Sequence, residues 1–153
     1  DVLSQHQDCT KTVIETAERR GAMTVGYHAD ASSLAPNGWI IGSVWNWPAL
    51  YVDMVQTAMD GNFDGSKYDG KFRGTLADDI VMLTDFGANV PEDVKALVEE
   101  KKQAMLDGTL HPFAGPVKDQ SGEVRIADGV TPTIDELESM DYLVEGVIGT
   151  IPK

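Results

Sequence analysis

The first 27 residues read strand, helix, strand, and that order leaves the chain few ways to fold. Val2 to Gln5 is a short β-leaning run. Val13, Ile14 and Ala17 follow at helical spacing, with Asp8 or Thr10 available as a cap. Arg19 and Arg20 suit the negative end of that helix, and Gly21 stops it. Met23 to Tyr27 reads as the next strand. Two strands joined by one helix pair in parallel, because the crossover returns the chain to the same end of the sheet. An α/β fold with a parallel sheet is therefore expected, and in such sheets ligands collect at the carboxyl ends of the strands.

The rest of the chain continues the alternation. Ser32 to Gly38 is a polar loop, and Trp39 to Trp45 is apolar enough for a buried strand. Asn46 and Pro48 mark a helix start, with Tyr51, Val52, Met54, Val55, Ala58 and Met59 as its expected buried stripe and Gly61 as its stop. Asn62 to Gly70 reads as a loop, and Lys71 to Leu76 and Ile80 to Thr84 as strands. Pro91 to Leu106 is the clearest helix, with Val94, Leu97, Val98 and Met105 on its apolar face. Pro116-Val117-Lys118 and Glu123 to Ile126 flank Asp119-Gln120-Ser121-Gly122 as a hairpin, and Thr133 caps a short helix through Met140. The last apolar stretch, Tyr142 to Ile148, is too short to span a membrane.

Charge narrows the partners. Twelve Lys and Arg stand against 25 Asp and Glu, a net charge of -13. Such a field repels phosphate backbones and anionic headgroups, so neither nucleic acid nor a membrane surface is an expected partner. One cysteine cannot build a disulfide framework, and His6, His28 and His111 are too scattered for a metal cluster. No nucleophile elbow, P-loop or GxGxxG is present, so no catalytic residue, metal or cofactor is assigned. Cys9, beside Asp8 and near His6, reads as a helix-start residue, and Asp78-Asp79 and Glu99-Glu100 read as solvated charge.

Three tryptophans, Trp39, Trp45 and Trp47, fall within nine positions. In a strand Trp45 and Trp47 would face the same side. They read either as core packing or as a platform for a planar ligand, with Asn46 offering a donor and an acceptor between them. His28 and Asp30 follow the second strand; Gln5, His6 and Asp8 follow the first. These eight residues, Trp45, Trp47, Asn46, His28, Asp30, Gln5, His6 and Asp8, are the expected ligand-binding set.

Asp1-Val2-Leu3-Ser4-Gln5-His6, Gly26-Tyr27-His28-Ala29-Asp30, Ser43-Val44-Trp45-Asn46-Trp47 and Met140-Asp141-Tyr142-Leu143-Val144-Glu145-Gly146 together resemble the basic membrane protein family. These are substrate-binding lipoproteins of bacterial ABC transporters with a type I periplasmic-binding fold, and characterised members bind purine nucleosides or related planar compounds. The resemblance implies that the chain is the C-terminal half of a two-lobed receptor. Residues 1–45 would form the βαβ part of the C-terminal lobe. Residues 46–153 would supply hinge-crossing helices, strands and the C-terminal segment toward a first lobe held in the N-terminal half.

The resemblance further implies a purine-like small-molecule ligand, an ABC permease as partner and no enzymatic activity. It places the protein in the periplasm or on the outer face of the cell membrane, with a lipid anchor on the N-terminal half, and self-association is expected of this half alone. Where nucleoside-binding relatives carry Gly-Val-Asp, this chain has His28, with Asp30 two residues on, and Asn46 stands near their lysine. These departures point from ribose toward a nucleobase or another flat heterocycle. The alternative is an enzyme or ligand-sensing regulatory domain on a similar α/β scaffold.

Overall fold

A computed structural model of the chain describes residues 1–64 and 72–151. It resolves into two compact units, Asp1–Glu100 and Lys101–Lys153. The first holds β1 (Val2–Ser4), α1 (Thr10–Arg19), β2 (Met23–His28), β3 (Trp39–Trp45), α2 (Trp47–Met59) and β4 (Val81–Leu83), with a 3₁₀ turn at Ser32–Leu34. The sheet order is β1-β2-β3-β4. β1, β2 and β3 run parallel, as the opening strand–helix–strand order dictates, and β4 joins β3 antiparallel.

α1 forms because Ile14 and Ala17 recur on one face, and both are buried against the sheet. Its N-cap is Cys9, not Asp8 or Thr10, and no side chain caps it; the Cys9 amide donates instead to Gln7 Oε1 at 2.6 Å. Gly21 ends the helix as expected, at a φ of +68° that suits glycine. Ile14, Ala31, Ala35 and Trp39 make the core on this face of the sheet. Trp39 fits because its neighbours lack side chains. A Cβ on Gly42 would stand 2.8 Å from the indole, and one on Gly26 or Gly87 would overlap Trp39 outright. Glu18, at the end of α1, ties down the entry to β3. Its carboxylate accepts from Asn37 Nδ2 at 2.7 Å, the Gly38 amide at 2.8 Å and the Asn37 amide at 3.2 Å. The Asn37 side chain, aided by those amides and opposed by partial burial, holds the Glu18 carboxyl below its ordinary range.

Several sequence expectations fail here. No strand forms over Phe72 to Leu76; Lys71 lies outside the described residues, as do residues 65–70 of the expected loop. Asp78 Oδ2 instead accepts from the Thr75 amide at 2.9 Å and its hydroxyl at 2.6 Å, and this turn competes with any ladder. The apolar stripe of α2 is also uncovered. Leu50 is buried, while Tyr51, Val52, Val55 and Met59 are exposed, the last by 76%. Asn46 occupies the N-cap position as expected, but its side chain makes no capping bond. α3 (Glu92–Leu106) begins with Glu92 and Asp93 at its positive end, yet none of its expected apolar face is buried; Val94, Leu97 and Met105 are exposed.

The second unit is built on the hairpin of β5 (Val117–Lys118) and β6 (Val124–Ile126), with α4 (Ile134–Glu138) after it. Asp119 is buried at the turn. It accepts from the Ser121 hydroxyl at 2.6 Å and the Ser121 amide at 2.8 Å, and from Arg125 at 3.3 Å. The Ser121 hydroxyl is the largest influence holding the Asp119 carboxyl below its ordinary range. Arg125 also bonds Asp141 and lies 4.2 Å over the Tyr142 ring. Thr133 caps α4 in a reciprocal box with Glu136. The stretch after Tyr142 runs beside the hairpin through the Gln120 and Glu145 amides. Among the described residues, no helix is long and apolar enough to cross a membrane.

Candidate functional site

The carboxyl ends of β1, β2 and β3 lie side by side, because the three strands are parallel and in sequence order. Each end carries a ring. His6 follows β1, Tyr27 and His28 close β2, Trp45 closes β3, and Trp47 and Tyr51 lie in the first turns of α2. The rings form one continuous ribbon. Centroids are 4.3 Å apart for His6 and Tyr27, 4.1 Å for Tyr27 and His28, and 5.8 Å for Tyr27 and Trp45. Trp45 and Trp47 are 6.2 Å apart, and Trp47 stacks on Tyr51 at 5.7 Å with 15° between planes. The Tyr27–Trp45, Trp45–Trp47 and Trp47–Tyr51 separations fall in the range at which aromatic pairs attract.

His28 is the pivot. Neighbouring strand residues point to opposite faces, yet the Tyr27 and His28 rings are in contact. The reason is a left-handed backbone at His28, φ +76°. That conformation is uncommon outside glycine, and histidine is among the residues enriched in it. It turns the imidazole toward Trp45, whose indole Nε1 donates to His28 Nδ1 at 3.2 Å. Strain of this kind concentrates at ligand clamps and switches.

Beside the ribbon is an open cleft of about 620 Å³ lined by His28, Trp45, Trp47, Leu50, Phe72, Arg73, Gly74 and Ile80. Its size suits a small organic ligand, and its walls are mostly apolar with few polar groups, the usual make-up of a small-molecule site. Among the described residues, no group of His, Cys, Asp and Glu is arranged to hold a metal.

Of the eight residues expected from sequence, the fold brings Trp45, Trp47 and His28 to this cleft. Asn46 sits between the two tryptophans, its amide donating to the Ile80 carbonyl at 2.9 Å. His6 joins the ribbon through Tyr27 without lining the cleft. Gln5 is buried, with Thr10 and Gln7 as its partners. Asp8 is exposed ahead of α1. Asp30 accepts from the Ser32 amide at 2.9 Å and borders a different hollow, with Trp39, Asp85 and Phe86. Trp45 and Trp47 share the cleft for a reason other than strand alternation, since β3 ends at Trp45 and Trp47 opens α2.

Sequence reading did not single out Tyr27, Tyr51, Phe72 or Arg73 for the site. Tyr51 follows Trp47 by one helical turn, which was a signal for a stacked pair. Phe72 and Arg73 gave none, because they reach the cleft from a segment without regular structure.

The family described as ABC transporter substrate-binding protein, PnrA-like (Bmp) matches residues 1–111. The chain is 31% identical over 153 residues to a purine-binding protein of Brucella abortus (strain 2308) and 24% identical over 152 residues to a putative ABC transporter glucose-binding protein of Haloferax volcanii. It aligns along 100% and 99% of its own length but spans only 42% and 35% of theirs. Among solved structures it is similar to a transcriptional activator of the comK gene from Bacillus halodurans. The TM-score is 0.59 at 20% identity, over 74% of this chain and 39% of that one, a likeness of fold alone.

Proposed function

The chain belongs to the Bmp family of PnrA-like ABC transporter substrate-binding proteins, and from that premise we propose that it forms one wall of a cleft that captures a purine base or a similarly flat heterocycle for import. The observation that carries this reading is the ring ribbon ending in Trp45, Trp47 and Tyr51 beside the open cleft. A flat ligand replaces water on an aromatic face and gains stacking of about 0.5–1.5 kcal/mol per ring beyond the area it buries. The 31% identical relative is named for purine binding, which favours the same ligand class.

In this reading Trp45 and Trp47 hold the ligand's faces and His28 meets a polar edge, with Asn46 and His6 at the margin. Gln5, Asp8 and Asp30 shape the strand ends around them. Residues 1–45 form the βαβ part of one lobe, and residues 46–153 supply the segments that lead toward the other. The ligand passes unchanged to an ABC permease at the outer face of the membrane, where a lipid anchor holds the whole receptor.

The test uses the full-length protein containing this sequence. Calorimetry and tryptophan fluorescence are followed while hypoxanthine, adenine or glucose is added, and the bound ligand is then recovered and identified. Binding of a purine with a change in tryptophan emission, and recovery of the same purine, is expected. Heat with glucose alone would move the ligand class to sugars, and recovery of a converted product would favour an enzyme.

A further inference from the structure

We propose that Asp78 is a positioning residue for the ligand cleft: its carboxylate closes the turn from Thr75 to Ile80, and that turn fixes the corner on which Trp45 and Trp47 stand. The proposal rests on the binding reading above and adds a residue that serves the site without touching the ligand.

Ile80 lines the cleft and is buried. It lies against Gly74, where any side chain would overlap it, so only backbone separates these two wall residues. The Ile80 carbonyl accepts from the Asn46 amide at 2.9 Å. Asn46 is the single residue between Trp45, which ends β3, and Trp47, which opens α2. One residue beyond Ile80, Val81 pairs with Trp45 across the antiparallel ladder of β3 and β4. The position of Ile80 and Val81 therefore sets the position of the corner between the two tryptophans.

Ile80 and Val81 are held in turn by Thr75. Both amides donate to the Thr75 carbonyl, each at 3.3 Å. Those bonds are longer than usual and share one acceptor. Asp78 supplies the shorter ones. Its Oδ2 accepts from the Thr75 amide at 2.9 Å and from the Thr75 hydroxyl at 2.6 Å, and Thr75 Oγ1 accepts from the Ala77 amide at 3.2 Å. A charged acceptor strengthens each bond it receives. The Thr75 hydroxyl, followed by the Thr75 amide, holds the Asp78 carboxyl below its ordinary range.

Asp79 completes the turn with a left-handed backbone, φ +55°, a region in which aspartate is enriched. Among the described residues, the non-glycine positions with such a backbone are His28, which lines the cleft, and Asp79, which adjoins its Ile80 wall. Strain of this kind persists where the surroundings enforce it, and it concentrates at ligand sites. Asp78 reads as solvated charge in the sequence, and it is indeed exposed and absent from the cleft lining. Its effect passes through Thr75, Ile80 and Asn46 to the tryptophans, the kind of support on which a binding site depends for its geometry.

The experiment follows hypoxanthine and adenine by calorimetry on the full-length protein, as wild type, Asp78→Ala and Asp78→Asn. Asp78→Ala removes both bonds to Thr75 and is expected to weaken binding of the purine that the wild type takes by about tenfold, with the melting temperature nearly unchanged. Asp78→Asn keeps an acceptor oxygen and should restore the affinity to within about threefold of wild type. In the ligand-free protein, the Asn46 amide should exchange with solvent faster in Asp78→Ala than in wild type, because its acceptor is no longer held. Purine binding by Asp78→Ala within about twofold of wild type, equal losses in the two variants, or unchanged Asn46 exchange overturns the proposal and leaves the purine reading standing. A melting temperature that falls together with the affinity makes Asp78 a residue of general stability and overturns it likewise. Absence of heat with both bases in the wild type overturns the purine reading, and this proposal with it.

Discussion

Trp39 and Trp45 sit at opposite ends of one seven-residue strand and live in opposite worlds. Trp39, at the amino end of β3, is 2% exposed, closed in by Ile14, Ala31 and Ala35 and admitted by glycines that leave it room. Trp45, at the carboxyl end, is half-buried, and Trp47 beyond it is 46% exposed on an open cleft. The same residue type serves as core in one place and as the wall of an open cleft in the other. What separates them is direction along a parallel strand, because helices and turns close one end of such a sheet and leave the other open to ligands.

Three changes would break or sharpen that contrast. The largest effect is expected from Trp39→Ala, which empties the centre of the core and should cost about 3–5 kcal/mol of stability. Urea denaturation measures it, and a loss under about 1 kcal/mol would mean that the core does not depend on this ring. Next comes Trp47→Ala. Removal of an exposed stacking ring should weaken binding of the proposed purine ligand by about 1 kcal/mol or more, with the melting temperature nearly unchanged. If the melt falls as far as it does in Trp39→Ala, the two tryptophans are not different in kind.

The smallest effect is a titration. The folded state holds the Glu18 carboxyl below its ordinary value of 4.5 through Asn37 and Gly38. A depressed carboxyl stabilises the fold fully above that value and loses the contribution as pH falls through its folded value. Acidification below 4.5 should therefore loosen the Trp39 end of β3 first, and Glu18→Gln should flatten this part of the stability–pH curve. Amide NMR of Asn37 and Gly38 follows it; a profile unchanged in the variant would remove Glu18 from the account.

The legible parts of the sequence were those where a local pattern and its structural cause coincide. Val13, Ile14 and Ala17 announced α1, and Trp39 to Trp45 gave β3 its full extent. Thr133 and Glu136 carried their capping box in their spacing. The illegible parts depended on what lies across space or on side chains that compete with the backbone for its hydrogen bonds. Apolar spacing in α2 located a helix correctly but said nothing about whether Val52 or Met59 has a neighbour to lie against. The strand expected up to Leu76 lost to a turn closed by Asp78, a competition that β propensity does not register. At the site, Trp45, Trp47 and His28 were visible because strand ends in a parallel sheet are privileged positions. The left-handed turn at His28 that joins them was not, since no residue pattern specifies it. Arg73 reaches the cleft from irregular chain, and only the folded structure reveals it there.

The uncovered face of α2 has a consequence in time as well as in space. This helix has 13 residues, and Leu50 is its buried anchor. Helices of about that length barely hold together in water without tertiary support. Amide hydrogens in α2 of this chain should therefore exchange with solvent soon after mixing, while those of β2 and β3 persist until the sheet itself opens. The ring ribbon straddles that boundary, with Tyr27 and Trp45 on the slow side and Trp47 and Tyr51 on the fast one. The cleft wall is thus fixed at one edge, where Trp45 bonds His28, and yielding at the other.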